Sequence, residues 1–428
     1  MIRCLLVFSA LILLSPPLIG QELAADSVLE ESIATLRDRS RTAQARSHYL
    51  RAKRYERNDE LDQALTALNQ AISLQHDFDD ALWLRARIHR RNTNFLKALT
   101  DYQSLLFLEP KLVEPRFERA QLLYRLERHE ESLEDFKYLL EHELGETTTV
   151  YFRGTTQTNE DGTSSFSTSS VETVQSGMKA DIWNFMGLNY LALENYDKAT
   201  LHFELALSQL NGDATIYNNL GLASEKLGDT LRAIDCYRRA LLLDADHSEA
   251  LQNFSSLTRE YNRLETAETT LSQLSSTSTS PTLLLHQGMV LHQSGKYQEA
   301  ISAYNTALRQ APSNADLYLQ RGFSREKLSQ LQDALQDYTQ AIGLDSRLEK
   351  AYLNRGNVYY KLKKFENARQ DYLTALQLAP SNAKIYYNLA LTHHREGDIQ
   401  EACRHLERAL ELGYVGAKAV SDKICSNP

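Results

Sequence analysis

The sequence is poor in cysteine, in net positive charge and in long apolar runs. Four cysteines occur in 428 residues, with no paired C-x-x-C pattern, so neither a zinc ribbon nor a redox dithiol motif is present. Lys and Arg number 47 against 56 Asp and Glu, a net charge of −9, which argues against a general nucleic-acid binder. Neither terminus carries an acidic or basic tail. Beyond the first twenty residues no stretch approaches the roughly 18 apolar residues that a membrane span requires. A Gly-rich phosphate loop, a G-x-S-x-G elbow and an H-E-x-x-H helix are all missing, which leaves an enzyme little to stand on. His393 and His394 are adjacent. On a helix such neighbours point about 100° apart and cannot share a metal, so they read as one packed and one exposed histidine. No cofactor or metal site is expected.

What is present is a period. Small residues recur at Ala64, Ala98, Ser132, Ala199, Ala233, Ala267, Ala300, Ala334, Ala368 and Ala402, almost always 34 apart. A second ladder runs twelve residues ahead, at Ala52, Ala86, Ala120, Gly187, Gly221, Ser255, Gly288, Gly322, Gly356 and Ala390. Around these rungs the apolar residues keep helical spacing, as in Ile182, Phe185, Met186 and Tyr190 and then Ala199, Phe203 and Ala206. Each unit is therefore expected to be two amphipathic helices, with the small residues allowing close approach.

Period, helix pairing and residue types together resemble the tetratricopeptide repeat family. Residues 180–213 show it best, with Trp183, Gly187, Tyr190, Ala199, Phe203 and Ala206 in place and Asn211 where the family has a closing Pro. Pro110, Pro312 and Pro380 supply that closing residue elsewhere, ending a helix by withholding an N–H. The resemblance covers most of the chain, with ten units starting near 45, 79, 113, 180, 214, 248, 281, 315, 349 and 383. It implies an all-α, right-handed solenoid of stacked helix-turn-helix units. The expected divisions are 45–146, 180–280 and 281–416, with a Ser/Thr-rich flex point at 275–281 and caps at 21–44 and 417–428.

Residues 1–20 hold Arg3, an apolar run from Leu5 to Leu14, and Ser15-Pro16-Pro17 before Gly20, which reads as a secretory signal. Cleavage near Gly20 is the first expectation and retention as an N-terminal anchor the second. The mature chain is then exported: periplasmic, associated with the cell envelope, or secreted. Three cysteines remain after the leader. Cys236 falls on a core face. A turn at Gly413 folds a terminal helix back and brings Cys403 beside Cys425, so a disulfide is expected there; two unpaired apolar thiols are the alternative.

The ladder skips from Ser132 to Ala199, a step of 67, leaving 147–179 as an insert. Thr147–Thr158 and Thr163–Val174 are rich in Thr, Val, Tyr and Phe around Asn159-Glu160-Asp161-Gly162, a strong turn signal. The readings are a β-hairpin or a flexible linker.

Members of the family usually bind partners on the groove lined by the first helix of each unit. By position that implies Arg46, Tyr49, Lys53 and Arg57, then Trp83, Arg87, Arg90 and Arg91, then Phe117, Gln121, Tyr124 and Arg125, with Glu114 and Glu118 as acidic exceptions. Such a basic and aromatic surface suits an acidic peptide or polymer; a solvated helix face is the plainer alternative. The expectation is a non-catalytic scaffold for protein or peptide partners. An anionic glycan or envelope polymer, or a place in a larger envelope or secretion assembly, stands as the alternative. Oligomeric state is open.

Overall fold

The computed structural model describes residues 18–142, 148–158, 164–175, 178–210 and 212–425, with side chains described from residue 35 and not within the strands. Residues 1–17 of the expected signal segment 1–20 and the turn signal at 159–162 lie outside the described residues. Two compact units divide the chain, Met1–Leu193 and Glu194–Pro428.

The first unit holds α1 (Leu18–Arg57), α2 (Leu61–Leu74), α3 (Asp79–Arg91), α4 (Phe95–Leu108), α5 (Val113–Arg125), α6 (His129–Glu141), β1 (Thr148–Thr158), β2 (Ser164–Gln175) and α7 (Met178–Ala192). The expected cap at 21–44 is not a separate helix. No Gly or Pro occurs between Gln21 and Arg57, so nothing stops the helix at the start of the first repeat and α1 runs through. Leu36 on this helix is 64% exposed. In the insert, β1 and β2 pair antiparallel from Thr148↔Gln175 to Thr158↔Ser164, with a register shift at Arg153/Gly154.

The second unit holds α8 (Tyr196–Gln209), α9 (Ala214–Lys226), α10 (Thr230–Leu243), α11 (Ser248–Glu260), α12 (Leu264–Ser275), α13 (Pro281–Gln293), α14 (Tyr297–Gln310), α15 (Ala315–Lys327), α16 (Leu331–Leu344), α17 (Glu349–Lys361), α18 (Phe365–Leu378), α19 (Ala383–Glu396), α20 (Ile399–Glu411) and α21 (Ala417–Cys425). Within each unit successive helices pair and stack. The Ser/Thr-rich turn at 275–281 makes contacts on both sides. Ser280 caps α13 by accepting from Leu283 N at 3.2 Å, Ser278 Oγ donates to Asp246 at 3.2 Å, and Gln310 Nε2 donates to Thr279 O at 2.9 Å. One apolar cluster, including Leu271, Leu274, Leu283 and Val290, runs straight across it.

The small rungs have a steric cause. A Cβ at Gly221, Gly288, Gly322 or Gly356 would lie 2.4–2.9 Å from the buried ring of Tyr237, Tyr304, Tyr338 or Tyr372 on the paired helix. Between the helices of all ten repeats the chain turns through the left-handed region at one equivalent position. Asp59, Thr93, Glu127, Glu194, Asn262, Ser329 and Lys363 occupy it in seven repeats, and Gly228, Gly295 and Gly397 in three.

A charged motif also repeats. Arg85–Asp101, Arg119–Asp135, Arg321–Asp337 and Arg355–Asp371 join the two helices of their repeats at 2.5–2.8 Å. The four aspartates are buried. Three of the arginines reach further, to the second helix of the preceding repeat: Arg85 to Asn69 at 2.8 Å, Arg321 to Asn305 at 2.7 Å and Arg355 to Thr339 at 3.2 Å. The fold is thereby stitched both within and between repeats.

At the C-terminal end Cys403 and Cys425 form a disulfide across 22 residues and hold α21 against α20. Ala417, Val420 and Ile424 of α21 cover Ala390, Leu406 and Ala409. Cys236 is a buried free thiol whose pKa is pushed up to about 11 by burial.

Candidate partner-binding groove

The first helices of the repeats in the Met1–Leu193 unit share a groove of about 790 Å³. Glu56 of α1, Arg87, Arg90 and Arg91 of α3, Gln121, Tyr124 and Arg125 of α5, and Phe185 of α7 line it. Of the residues expected from sequence it gathers Arg87, Arg90, Arg91, Gln121, Tyr124 and Arg125. Thr93, in the left-handed turn after α3, completes its edge.

Glu118, outside the groove lining, is a hydrogen-bonding hub beside it rather than a flaw in a basic patch. Its carboxylate accepts from Trp83 Nε1 at 2.9 Å, Arg90 Nη2 at 3.1 Å and Tyr102 Oη at 3.0 Å. Burial, and next the Glu118 charge, push the Tyr102 hydroxyl well above its ordinary range, so it stays a donor. Trp83 and Arg90 are thus fixed by an internal partner. Arg91 meets Asp59 at 2.8 Å with both side chains mostly exposed, a pair worth little.

Arg87 and Arg125 differ from these. Arg87 lies 5.9 Å from the Trp83 ring centroid and Arg125 5.5 Å from that of Phe95, and neither makes an ion pair among the described residues. Ring stacking holds each guanidinium while leaving its N–H donors open to the groove. Beside them Tyr124 packs against Phe185 at 6.1 Å, and burial raises its hydroxyl pKa, keeping a neutral donor at the wall.

The other expected residues fall elsewhere. Phe117 is wedged between Phe136 and Phe185 at 5.8 and 6.1 Å and serves packing. Tyr49 packs on Phe78 at 5.1 Å, with Lys53 5.6 Å over its ring, outside the groove lining. Arg46 lines a separate depression with Leu50 and Arg54, and Arg57 is exposed beside neither. Sequence reading missed Phe185, although it stands at the repeat position that Glu118 occupies in its own unit.

The Glu194–Pro428 unit has a smaller concavity of about 290 Å³, where Lys384 and Asn388 of α19 meet Asn357, Lys361 and Glu326. Its polar groups are largely paired with one another. Asn388 donates to Asn357 at 2.8 Å, Tyr372 donates to the same oxygen at 2.9 Å, and Lys361 meets Glu326 at 2.7 Å. His393 stacks on His405 at 5.3 Å, and His394 is exposed.

Tetratricopeptide repeat models match residues 49–112 and 84–146, 180–209 and 214–247, 288–329, 327–363 and 356–397, and 383–413. The chain is a tetratricopeptide repeat protein. The tetratricopeptide repeat domain-containing protein PYG7, chloroplastic, of Arabidopsis thaliana is 32% identical over 71 residues, which are 17% of this chain and 24% of that protein. The chain thus spans about a quarter of that relative's length. Among solved structures, a tetratricopeptide repeat protein from Parabacteroides merdae is 16% identical, covering 58% of this chain and 100% of its own, with a TM-score of 0.45. The C-terminal part of a repeat protein from Cytophaga hutchinsonii is 18% identical over 64% of this chain and 99% of its own, also at 0.45. YrrB, described as having an unusual peptide-binding site, is 21% identical over 52% of this chain and 97% of its own, at 0.32. Tetratricopeptide repeat proteins are generally non-catalytic scaffolds for protein–protein interaction.

Proposed function

We propose that this tetratricopeptide repeat protein works outside the cytoplasm and recruits a partner by taking an acidic peptide segment into the groove of its N-terminal unit. The observation that carries this reading is the pair Arg87 and Arg125, two guanidiniums over aromatic rings, on neighbouring first helices and without carboxylate partners among the described residues. A guanidinium fork takes a carboxylate in a bidentate, directional contact, and Tyr124 and Phe185 offer a surface for the peptide's apolar side chains. Binding is by shape and charge, so it weakens with salt. The leader-like N-terminal sequence and the Cys403–Cys425 disulfide support an oxidising compartment.

The test is fluorescence anisotropy with a labelled Glu/Asp-rich peptide containing one aromatic residue, against wild type and an Arg87→Glu, Arg125→Glu variant. Affinity is expected to fall by about a hundredfold or more in the variant, since each of the two lost charge-assisted contacts is worth on the order of 1.5–3 kcal/mol. Equal affinity in both proteins, or capture of an anionic polysaccharide in preference to the peptide, overturns the reading.

A further inference from the structure

A pronounced excess of positive charge sits on α1. Between Thr35 and Arg57 stand eight cations, Lys53 and the arginines at 37, 39, 41, 46, 51, 54 and 57, against two carboxylates, Asp38 and Glu56. That is an excess of six positive charges in 23 residues of a protein whose net charge is −9. None of these seven arginines makes an ion pair among the described residues; Arg51 donates to His48 Nδ1 at 2.5 Å. Residues 35–44 are exposed on every side.

The helix is two-faced. Ala45 and Ala52 are fully buried and form the face that packs in the first repeat. On the opposite face Leu36, Ala43 and Leu50 recur every seven residues, nearly two helical turns, and the two leucines are 64% and 57% exposed. Arginines flank that stripe on both sides: Arg39 and Arg46 on one, Arg37 and Arg51 on the other, with Arg54 continuing its line. Ala43, Arg46, Ser47, Leu50, Arg51 and Arg54 surround a shallow depression of about 620 Å³.

We propose that this face of α1 docks on an anionic phospholipid surface. From Leu36 to Arg54 it is a strip along one helix about 27 Å long at 1.5 Å per residue, its leucines exposed between arginines. Arginines beside spaced leucines match headgroup phosphates over an apolar interior. A duplex phosphate backbone gives the leucines nothing to contact. A second copy stacked head to tail would present α21, whose Lys418 and Lys423 outnumber Asp422 and repel the strip. The apolar run Leu5–Leu14 lies ahead of α1 in the same chain, so two lipid-compatible segments follow one another in sequence.

Vesicle flotation of the full chain tests the proposal, with phosphatidylglycerol–phosphatidylcholine vesicles beside pure phosphatidylcholine. The neutral vesicles register whatever association the Leu5–Leu14 run causes by itself. The chain is expected to float preferentially with the anionic vesicles at about 0.1 M salt and to lose that preference near 1 M, where screening shortens to about 3 Å. Arg39→Glu, Arg46→Glu and Arg54→Glu together should abolish the preference, at about fivefold or more per charge. Leu36→Ser with Leu50→Ser should weaken anionic binding with the salt dependence retained. All five positions are exposed, and circular dichroism checks that the variants keep their helix content. Equal flotation with both vesicle types, an unchanged preference in the triple variant, or tighter binding to duplex DNA than to anionic vesicles at the same salt overturns the proposal.

Discussion

Thr93 holds φ at 58°, a left-handed conformation that costs an L-residue about 1–2 kcal/mol and suits a β-branched one least. Its hydroxyl donates only to the adjacent Asn92 carbonyl, so little holds it there. Thr93→Gly is therefore expected to stabilise the protein by about 0.5–1 kcal/mol, relief of strain outweighing the added chain entropy; a urea midpoint that does not rise refutes this. Gly288 is the converse case. Its missing Cβ would stand 2.4 Å from the fully buried Tyr304 ring, so Gly288→Ala is expected to cost about 1–3 kcal/mol by the same measurement. Half-buried histidines set a pH dependence. Burial is the main cause that lowers the pKa of His89, His286, His292 and His405 below the ordinary 6.5. They fold neutral and regain protons when the chain unfolds. Their contribution is complete above pH 6.5 and is lost as pH falls through the lowered values. The urea midpoint should drop between pH 7.5 and 5.5, and the drop should shrink when His286 and His292 are replaced by Gln.

At the scale of helices, each arginine–aspartate pair is a clamp whose worth depends on what remains when one partner goes. Asp371 is met by Arg355 alone, at 2.8 Å, with 7% of its side chain exposed. Arg355→Ala strands that carboxylate and is expected to cost about 3–5 kcal/mol, whereas Arg355→Leu with Asp371→Leu should recover most of the loss. Asp337 keeps Arg325 at 2.7 Å when Arg321 is removed, so Arg321→Ala should cost clearly less. Equal losses at the two sites in chemical denaturation would falsify the clamp account. These pairs were legible in principle, because Arg and Asp stand sixteen residues apart in four units, but apolar periodicity does not weigh polar residues. Helix placement was legible from the small rungs, whose cause is the facing tyrosine ring. The continuity of α1 was not, because a repeat period marks where a unit begins without supplying a residue that stops the preceding helix. In the groove, repeat position identified the arginines of α3 and α5. It could not show that Glu118 occupies Trp83 and Arg90, since hydrogen bonding across helices depends on rotamers as well as register.

Over the whole chain, stability in a repeat array is approximately a sum of unit and nearest-neighbour contributions. A cut of one period should therefore be tolerated where half a period is not. Removing residues 315–348 brings Arg355 over Asn305, the residue that bonds Arg321 in the intact protein, in place of Thr339. The shortened chain is expected to keep its helix content per residue and a cooperative urea transition; removing 315–331 should abolish both. Loss of cooperativity in both would show that the repeats are not interchangeable. The ten left-handed corners bear on how such a molecule adapts. They sit between paired helices, away from the tyrosine–glycine contacts and the arginine clamps, and only three of them carry glycine. Seven single-residue adjustments are thus available, each confined to one repeat. A lineage moving to a hotter or colder habitat could retune the array at the corners other than Thr93, which lines the groove, and Asp59, which meets its Arg91, while the surfaces that meet partners stay as they are.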